Sequence, residues 1–256
     1  MTALRHGWFM MNRHLLNLWR QPIWIAVTLV QPVIWLLLYG ALFKSVTRIP
    51  GFHSGSYIQF LTPGIVVMTA LFSSGWSGMA VIDDIDKGIL DRFLVSPVVR
   101  GSLTLGRLLN GTVIIVVQSL IIVLLALMVG ARFPNAWGIA VLIALASLLA
   151  AAVGCLSIAL ALIARREETV IAAVNFFVLP LTFLSTTFMQ KDLIPKWMQS
   201  AAAVNPVNWA VEAGRSAVLP GTNWSLVGTR LALLAALCIV CLVLSTRAFR
   251  AYQRSV

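Results

Sequence analysis

Long apolar runs alternate with short polar ones along this chain, and no polar stretch is long enough to clothe a soluble domain. A helix rises 1.5 Å per residue and the hydrocarbon core of a bilayer is about 30 Å thick, so about 20 apolar residues cross it. Six runs reach that length: Ile23–Phe43, Ile58–Ile82, Leu108–Val129, Trp137–Ala164, Thr169–Phe188 and Leu226–Thr246. Five carry no charge. The last holds Arg230 near one end, where a long side chain reaches the interface. An arginine at a helix centre costs about 2.5–3.5 kcal/mol, and this pattern avoids that cost. The prediction is all-α: a polytopic membrane protein of six transmembrane helices, one domain over residues 1–256. Pro32, Pro63 and Pro180 fall inside spans, where neighbouring helices re-satisfy freed carbonyls.

Three segments between the runs carry further pattern. Residues 7–20, GWFMMNRHLLNLWR, place Trp8, Met11, Leu15 and Leu18 at helical spacing with Arg13, Asn17 and Arg20 on another side. That predicts an N-terminal interfacial helix, against the plainer alternative of a frayed start to the first span. In the loop after the second run, Ile82, Ile85, Ile89 and Phe93 recur every three or four residues. Asp83, Asp84 and Asp86 are expected in its first turn, where a helix dipole favours acid, and Ser96-Pro97 ends it. This short amphipathic helix, within a loop over 83–103, needs an apolar partner: the membrane surface or a groove on another protein. Its acidic start disfavours anionic lipid and so favours the protein. Residues 190–220 contain two pieces too short to cross, Leu193–Val204 and Pro206–Leu219. They are expected to dip into or lie on the outer leaflet. Asn205 suits an N-cap and Pro206 a first helical turn. Glu212 and Arg215, three apart, are expected to pair.

Charge then sets orientation. With the N-terminus inside, 12 of the 19 Lys and Arg residues fall on the cytoplasmic side and seven outside, which favours cytoplasmic N- and C-termini. The chain has 256 residues, 60% hydrophobic and 11% charged, with a formal net charge of +11. A soluble domain carries about 25% charged residues. The positive charges sit singly or in small groups at the ends of apolar runs, with neither stripe nor tract, so nucleic-acid binding is not expected. The abundance of Arg over Lys, with much Ala and Val, suggests a GC-rich bacterial genome and a bacterial inner (plasma) membrane. No leader cleavage is expected, and the first long run is expected to be retained.

Candidate chemistry is sparse. Cys155, Cys238 and Cys241 lie inside apolar runs, with no nearby His, Asp or Glu in sequence to complete a metal site. The histidines, His6, His14 and His53, lie outside the runs. There is no H-E-x-x-H and no G-x-S-x-G, which disfavours an intramembrane enzyme. No Asp, Glu or His sits at a run centre, which disfavours an ion or proton pathway and favours an amphiphilic cargo. No G-x-x-x-x-G-K-[ST] phosphate loop occurs, so any ATP-driven work needs another polypeptide.

Three stretches together resemble the type-2 permease family of ABC transporters, its drug-exporter branch in particular, over essentially the whole chain. Leu61-Thr62-Pro63-Gly64 resembles the family's L-x-P-G. Residues 87–100, KGILDRFLVSPVVR, resemble G-x-x-E-R-L-x-x-x-P-x-x-R, with Asp91 in place of Glu and Phe93 in place of Leu. Asn205-Pro206, followed by Arg215, resembles the family's N-P pair and later arginine.

The resemblance implies a coupling helix formed by Lys87, Gly88, Ile89, Leu90, Asp91, Arg92, Phe93, Leu94, Pro97 and Arg100. A smaller contact would come from Arg165, Arg166, Glu167 and Glu168. It also implies short re-entrant helices before the last span. Two permease chains, as a homodimer or related heterodimer, would join two copies of a P-loop ATPase holding ATP and Mg. This chain itself would bind no cofactor. A substrate pathway would run at the interface of the two chains. Phe72, Ser73, Ser74, Trp76, Ser77, Asn175, Phe176, Phe183 and Thr187 are candidates to line it, with ordinary helix packing as the alternative for each. Pro63, Gly64, Asn205, Pro206 and Arg215 would be structural. The function implied is outward movement of a drug-like or lipid-like amphiphile. A permease for a glycan-lipid or polysaccharide, or a sensor that moves nothing, are the other readings.

Overall fold

The computed structural model describes residues 22–48, 56–88 and 100–253. Every regular element among them is helical. α1 is Pro22–Leu42 and α2 is Tyr57–Gly75. A 3₁₀ turn, Trp76–Gly78, joins α2 to α3, Met79–Asp86. α4 is Arg100–Met128, α5 Ala136–Ala164 and α6 Glu167–Phe183. Two short helices follow, α7 (Lys196–Val204) and α8 (Pro206–Val218). α9, Trp224–Gln253, closes the described chain.

Four of these helical stretches are long and apolar enough to cross a bilayer: Tyr57–Asp86, Leu108–Met128, α5 and Trp224–Tyr252. The other two predicted spans are also helices: α1, with 21 residues, matches the predicted Ile23–Phe43 to within one residue at each end, while the other is shorter than predicted. α6 has 17 residues, a rise of about 25 Å, below the 30 Å core. Its helix stops at Phe183 rather than Phe188. Hydrogen bonds compete there with the helical ladder: the Ser185 hydroxyl bonds the Thr182 carbonyl and Thr187, and Thr186 bonds Asn208, 22 residues further on.

Other expectations also need correction. Asp83, Asp84 and Asp86 do not open a new helix. They form the last turn of α3, continuous with the second span. Gly88 ends it at φ +62°, and Lys87 Nζ lies 2.6 Å from Asp83 Oδ2, offsetting acid at the negative end of the dipole. The third span's helix begins at Arg100, inside the predicted loop, and α9 runs seven residues past Thr246. The interfacial helix over 7–20 lies outside the described residues. So do Ile89, Leu90, Asp91, Arg92, Phe93, Leu94 and Pro97.

α5 is the centre of the bundle, packing along α9, α8, α2 and α4. It buries Leu142, Leu145, Ala146, Leu149, Cys155, Ile158 and Leu162 on those sides. Small residues on it let neighbours approach closely, as membrane helices require. Asn135 caps its start by accepting from the Trp137 N–H at 3.1 Å. Arg165, left-handed at φ +53°, ends it. The bundle's periphery is apolar: Ile34, Leu38, Leu124, Ile163, Ile239 and Val240 are exposed. A face so greasy is stable only against lipid or another protein.

Candidate functional site

Pro63-Gly64 and the stretch from Asn205 to Arg215, far apart in sequence, meet at one place. Between them passes the irregular strand of backbone from Leu184 to Gln190. At membrane depth such backbone must find partners within the protein. Here side chains from three directions supply them. Asn205 Nδ2 donates to the Leu181 and Leu184 carbonyls at 2.7 and 2.9 Å. Arg215 Nη2 donates to the Thr186 and Thr187 carbonyls at 2.9 and 3.4 Å. The Tyr57 hydroxyl donates to the Phe188 carbonyl at 3.0 Å. Asn208 Oδ1 accepts from the Thr186 N–H and hydroxyl at 3.0 and 2.7 Å.

Asn205 does this while also capping α8, accepting from the Val207 N–H at 2.9 Å with Pro206 in the first turn. The predicted N-cap is therefore present, and its amide nitrogen has a second task that spacing did not reveal. Gly64 is needed for contact. A Cβ there would stand 2.8 Å from Thr187 Cγ2 and 2.9 Å from the Thr187 carbonyl oxygen.

Arg215 does not pair with Glu212, contrary to the sequence expectation. Its guanidinium covers the Phe60 ring, 3.6 Å from the centroid, and Nε donates to the Phe60 carbonyl at 3.3 Å. Glu212 instead binds Arg230 of α9 at 3.0 Å. The reason is geometric: α8 lies between α2 and α9, and residues three apart reach in different directions. Arg230, near the start of α9, is thus anchored to α8 by this pair.

An aromatic cluster borders this junction. Trp35 stacks on Tyr39 at 4.8 Å, and Tyr39 contacts Phe43 and Phe188. Phe188 contacts Phe183, and Phe43 contacts Tyr57. Trp35, Tyr39 and Phe43 fall at i, i+4, i+8, a spacing visible in the sequence but read there only as part of a span. The same end of the bundle exposes Trp137, Trp197 and Trp224 at the starts of α5, α7 and α9, where an interfacial belt belongs.

The nine pathway candidates divide. Ser74 and Thr187 are buried, with hydroxyls bonded to the Leu71 carbonyl and to Ser185. Phe72, Ser73 and Ser77 are partly exposed, and Trp76 is exposed. Asn175, Phe176 and Phe183 lie exposed on α6, Asn175 donating to the Ile171 carbonyl at 3.0 Å.

At the opposite, predicted cytoplasmic end, Arg166, Glu167 and Glu168 are exposed where α6 begins. The Arg165 guanidinium sits 4.6 Å from the centre of the Tyr252 ring, tying the α5–α6 turn to the end of α9. Lys87 and Gly88 lead out of α3, and Arg100 opens α4. The Asp83 hydrogen bond pushes the Lys87 ammonium pKa up.

An apolar helical bundle with four helical stretches long enough to cross a bilayer, and tryptophans exposed at one end, has the form of a multi-pass membrane protein. The sequence model of the ABC-2 type transporter family matches residues 5–219, and the chain belongs to that family. It is 33% identical over 205 residues to the protein named transport permease ycf38 of Cyanophora paradoxa, covering 79% of this chain and 70% of that one. It is 27% identical over 248 residues to the daunorubicin resistance ABC transporter permease protein DrrB1 of Streptomyces coeruleorubidus, covering 92% and 85%. Against the inner membrane transport permease YadH of Escherichia coli K12 it is 24% identical over 237 residues, covering 89% and 87%.

Proposed function

We propose that this chain is the membrane-spanning subunit of an ATP-driven exporter, moving an amphiphilic drug-like or lipid-like cargo outward in a bacterial inner membrane, with both termini cytoplasmic. The observation that carries this is the family match across residues 5–219, which takes in the whole 83–103 loop. A drug-resistance permease aligned over most of both chains supports the cargo class. Two copies of this chain, or this chain and a related one, would join two P-loop ATPase subunits. Residues 87–100 would seat in the ATPase, with Arg165 to Glu168 as a lesser contact. ATP and Mg would reside on that partner, and closure of the ATPases would shift the spans from inward- to outward-open.

The aromatic cluster around Trp35, Tyr39 and Phe188 favours a second reading of the cargo, a glycan-lipid or polysaccharide, because sugar rings stack on such faces.

Purification with a co-expressed P-loop ATPase, followed by a substrate screen on the reconstituted complex, tests the proposal. Cargo-stimulated ATP hydrolysis is expected, and Asp91→Lys with Arg92→Glu should abolish ATP-dependent export. Unchanged export in that double variant would sink the coupling role. Failure to capture any nucleotide-hydrolysing partner would sink the whole reading.

A further inference from the structure

The second span is two helices joined by a turn. α2 ends at Gly75, the 3₁₀ turn takes Trp76–Gly78, and α3 starts at Met79. Trp76 lies at φ −80°, ψ −1°, and the Met79 N–H bonds the Trp76 carbonyl, three residues back rather than four. Mid-helix 3₁₀ stretches mark hinges or local strain. The cause here lies on another helix. The Ser157 hydroxyl of α5 donates to the Gly75 carbonyl and accepts from the Gly78 N–H, the latter at 2.9 Å. One oxygen atom therefore stands between the donor and the acceptor that a 3₁₀ turn would join directly. Such insertion of a side chain into the backbone ladder bends helices.

The surrounding packing keeps that oxygen in place. A Cβ on Gly78 would lie 2.5 Å from the Ser157 carbonyl oxygen, and one on Gly75 would lie 3.1 Å from Val174 of α6. α5 and α6 thus close on the break from two sides: a side chain at position 78 would collide with α5 backbone, and one at position 75 would press on Val174. Ser157 itself is buried, whereas Trp76, within the turn, is exposed. Beyond the turn, the eight residues of α3 form an arm of about 12 Å that leads into the 83–103 loop.

We infer that Ser157 is a positioning residue: its hydroxyl holds the break in the second span at a set angle, and α3 pivots about Gly75–Gly78 to pass movement between the loop and the outer half of the span. This rests on the permease reading above, in which the loop receives the motor's thrust. With the hydroxyl removed, the Gly78 N–H and Gly75 carbonyl close on each other and the span straightens. Turning a 12 Å arm by about 20° moves its tip by about 4 Å.

Spin labels at Asp86 and Ile163, both exposed, report the arm against α5. Labels at Trp137 and Trp224, exposed at the other end, serve as the reference pair. Both pairs are placed in a chain with Cys155, Cys238 and Cys241 replaced by alanine, purified alone into lipid nanodiscs. Ser157→Ala is expected to shift the 86–163 distance by about 4 Å and leave the 137–224 distance unchanged. Ser157→Thr, which keeps the hydroxyl, is expected to retain the wild-type distance. An unaltered 86–163 distribution in Ser157→Ala overturns the inference, and so does an equal shift in both pairs, which marks general loosening.

Should Ser157→Ala fail to accumulate, the wild-type chain with its ATPase decides: ATP must change the 86–163 distance more than the 137–224 distance, and equal or no change overturns the pivot. The experiment on the lone chain needs no motor. Absence of an ATPase partner would therefore end the permease reading while leaving the pivot standing.

Discussion

The Arg215 guanidinium rests on the Phe60 ring, 3.6 Å from its centre, across 155 residues of sequence. The same side chain holds three backbone carbonyls, so one cation binds α2 and the irregular 184–190 segment to α8. A hydrogen bond from a charged group contributes about 1.5–3 kcal/mol, and the carbonyls would be stranded without it. Arg215→Met is expected to leave these acceptors unpaired and lower the melting temperature of the detergent-purified protein by several degrees. Arg215→Lys, a point donor in place of a planar fork, is expected to recover only part. Thermal unfolding of the three proteins side by side checks this.

Gly64 faces Thr187 so closely that a methyl group displaces one of them. Gly64→Ala is expected to cost about 1–3 kcal/mol through overpacking. Thr187→Ser removes Cγ2 but not the carbonyl oxygen, so it should relieve the defect in part. A double-mutant cycle on thermal stability would show a coupling between the two positions; strict additivity would refute the contact.

Asn205 makes one bond that caps α8 and two that hold the end of α6. Asn205→Ser keeps a capping acceptor and loses both reaching donors. The loss expected is about 1–3 kcal/mol from the orphaned carbonyls, well above the few tenths expected for exchanging one good cap for another. If Asn205→Ser and wild type melt together, the amide's link to Leu181 and Leu184 has no energetic weight.

Glu212 and Arg230 join α8 to α9 at 3.0 Å, with side chains 19% and 24% exposed. Breaking such a sheltered pair strands a charge. Glu212→Gln and Arg230→Gln are each expected to reduce the amount of folded protein in the membrane. The exchanged pair, Glu212→Arg with Arg230→Glu, is expected to restore part of it. Fluorescence-detected size-exclusion chromatography of the single and exchanged variants reads this directly.

The helices were legible in sequence wherever hydropathy alone decides. α5 was expected at Trp137–Ala164 and stands at Ala136–Ala164. The Asn205-Pro206 start of α8 was also legible, because capping is local chemistry. The stop at Phe183 was not. Ser185, Thr186 and Thr187 are apolar enough to pass as span, and what unwinds them is Asn208, 22 residues on. The sequence suggests a new helix for Asp83, Asp84 and Asp86 because apolar periodicity runs unbroken from Ile82 to Phe93, while the stop signal is one residue, Gly88. Nor could periodicity reveal that Pro63-Gly64 and Arg215 share a site. Ser157 was missed for the same reason: a lone hydroxyl in an alanine-rich span carries no mark until its partner helix is in place. The Gly75-Trp76-Ser77-Gly78 spacing was the one available hint.

The carbonyls of Leu181, Leu184, Thr186, Thr187 and Phe188 are each gripped by a side chain from elsewhere in the chain. A flap swinging on the 184–190 segment would have to release the last four of these together. Any opening of the bundle at this end therefore carries the segment along with the helices that hold it, like trim nailed to the wall beside a doorway.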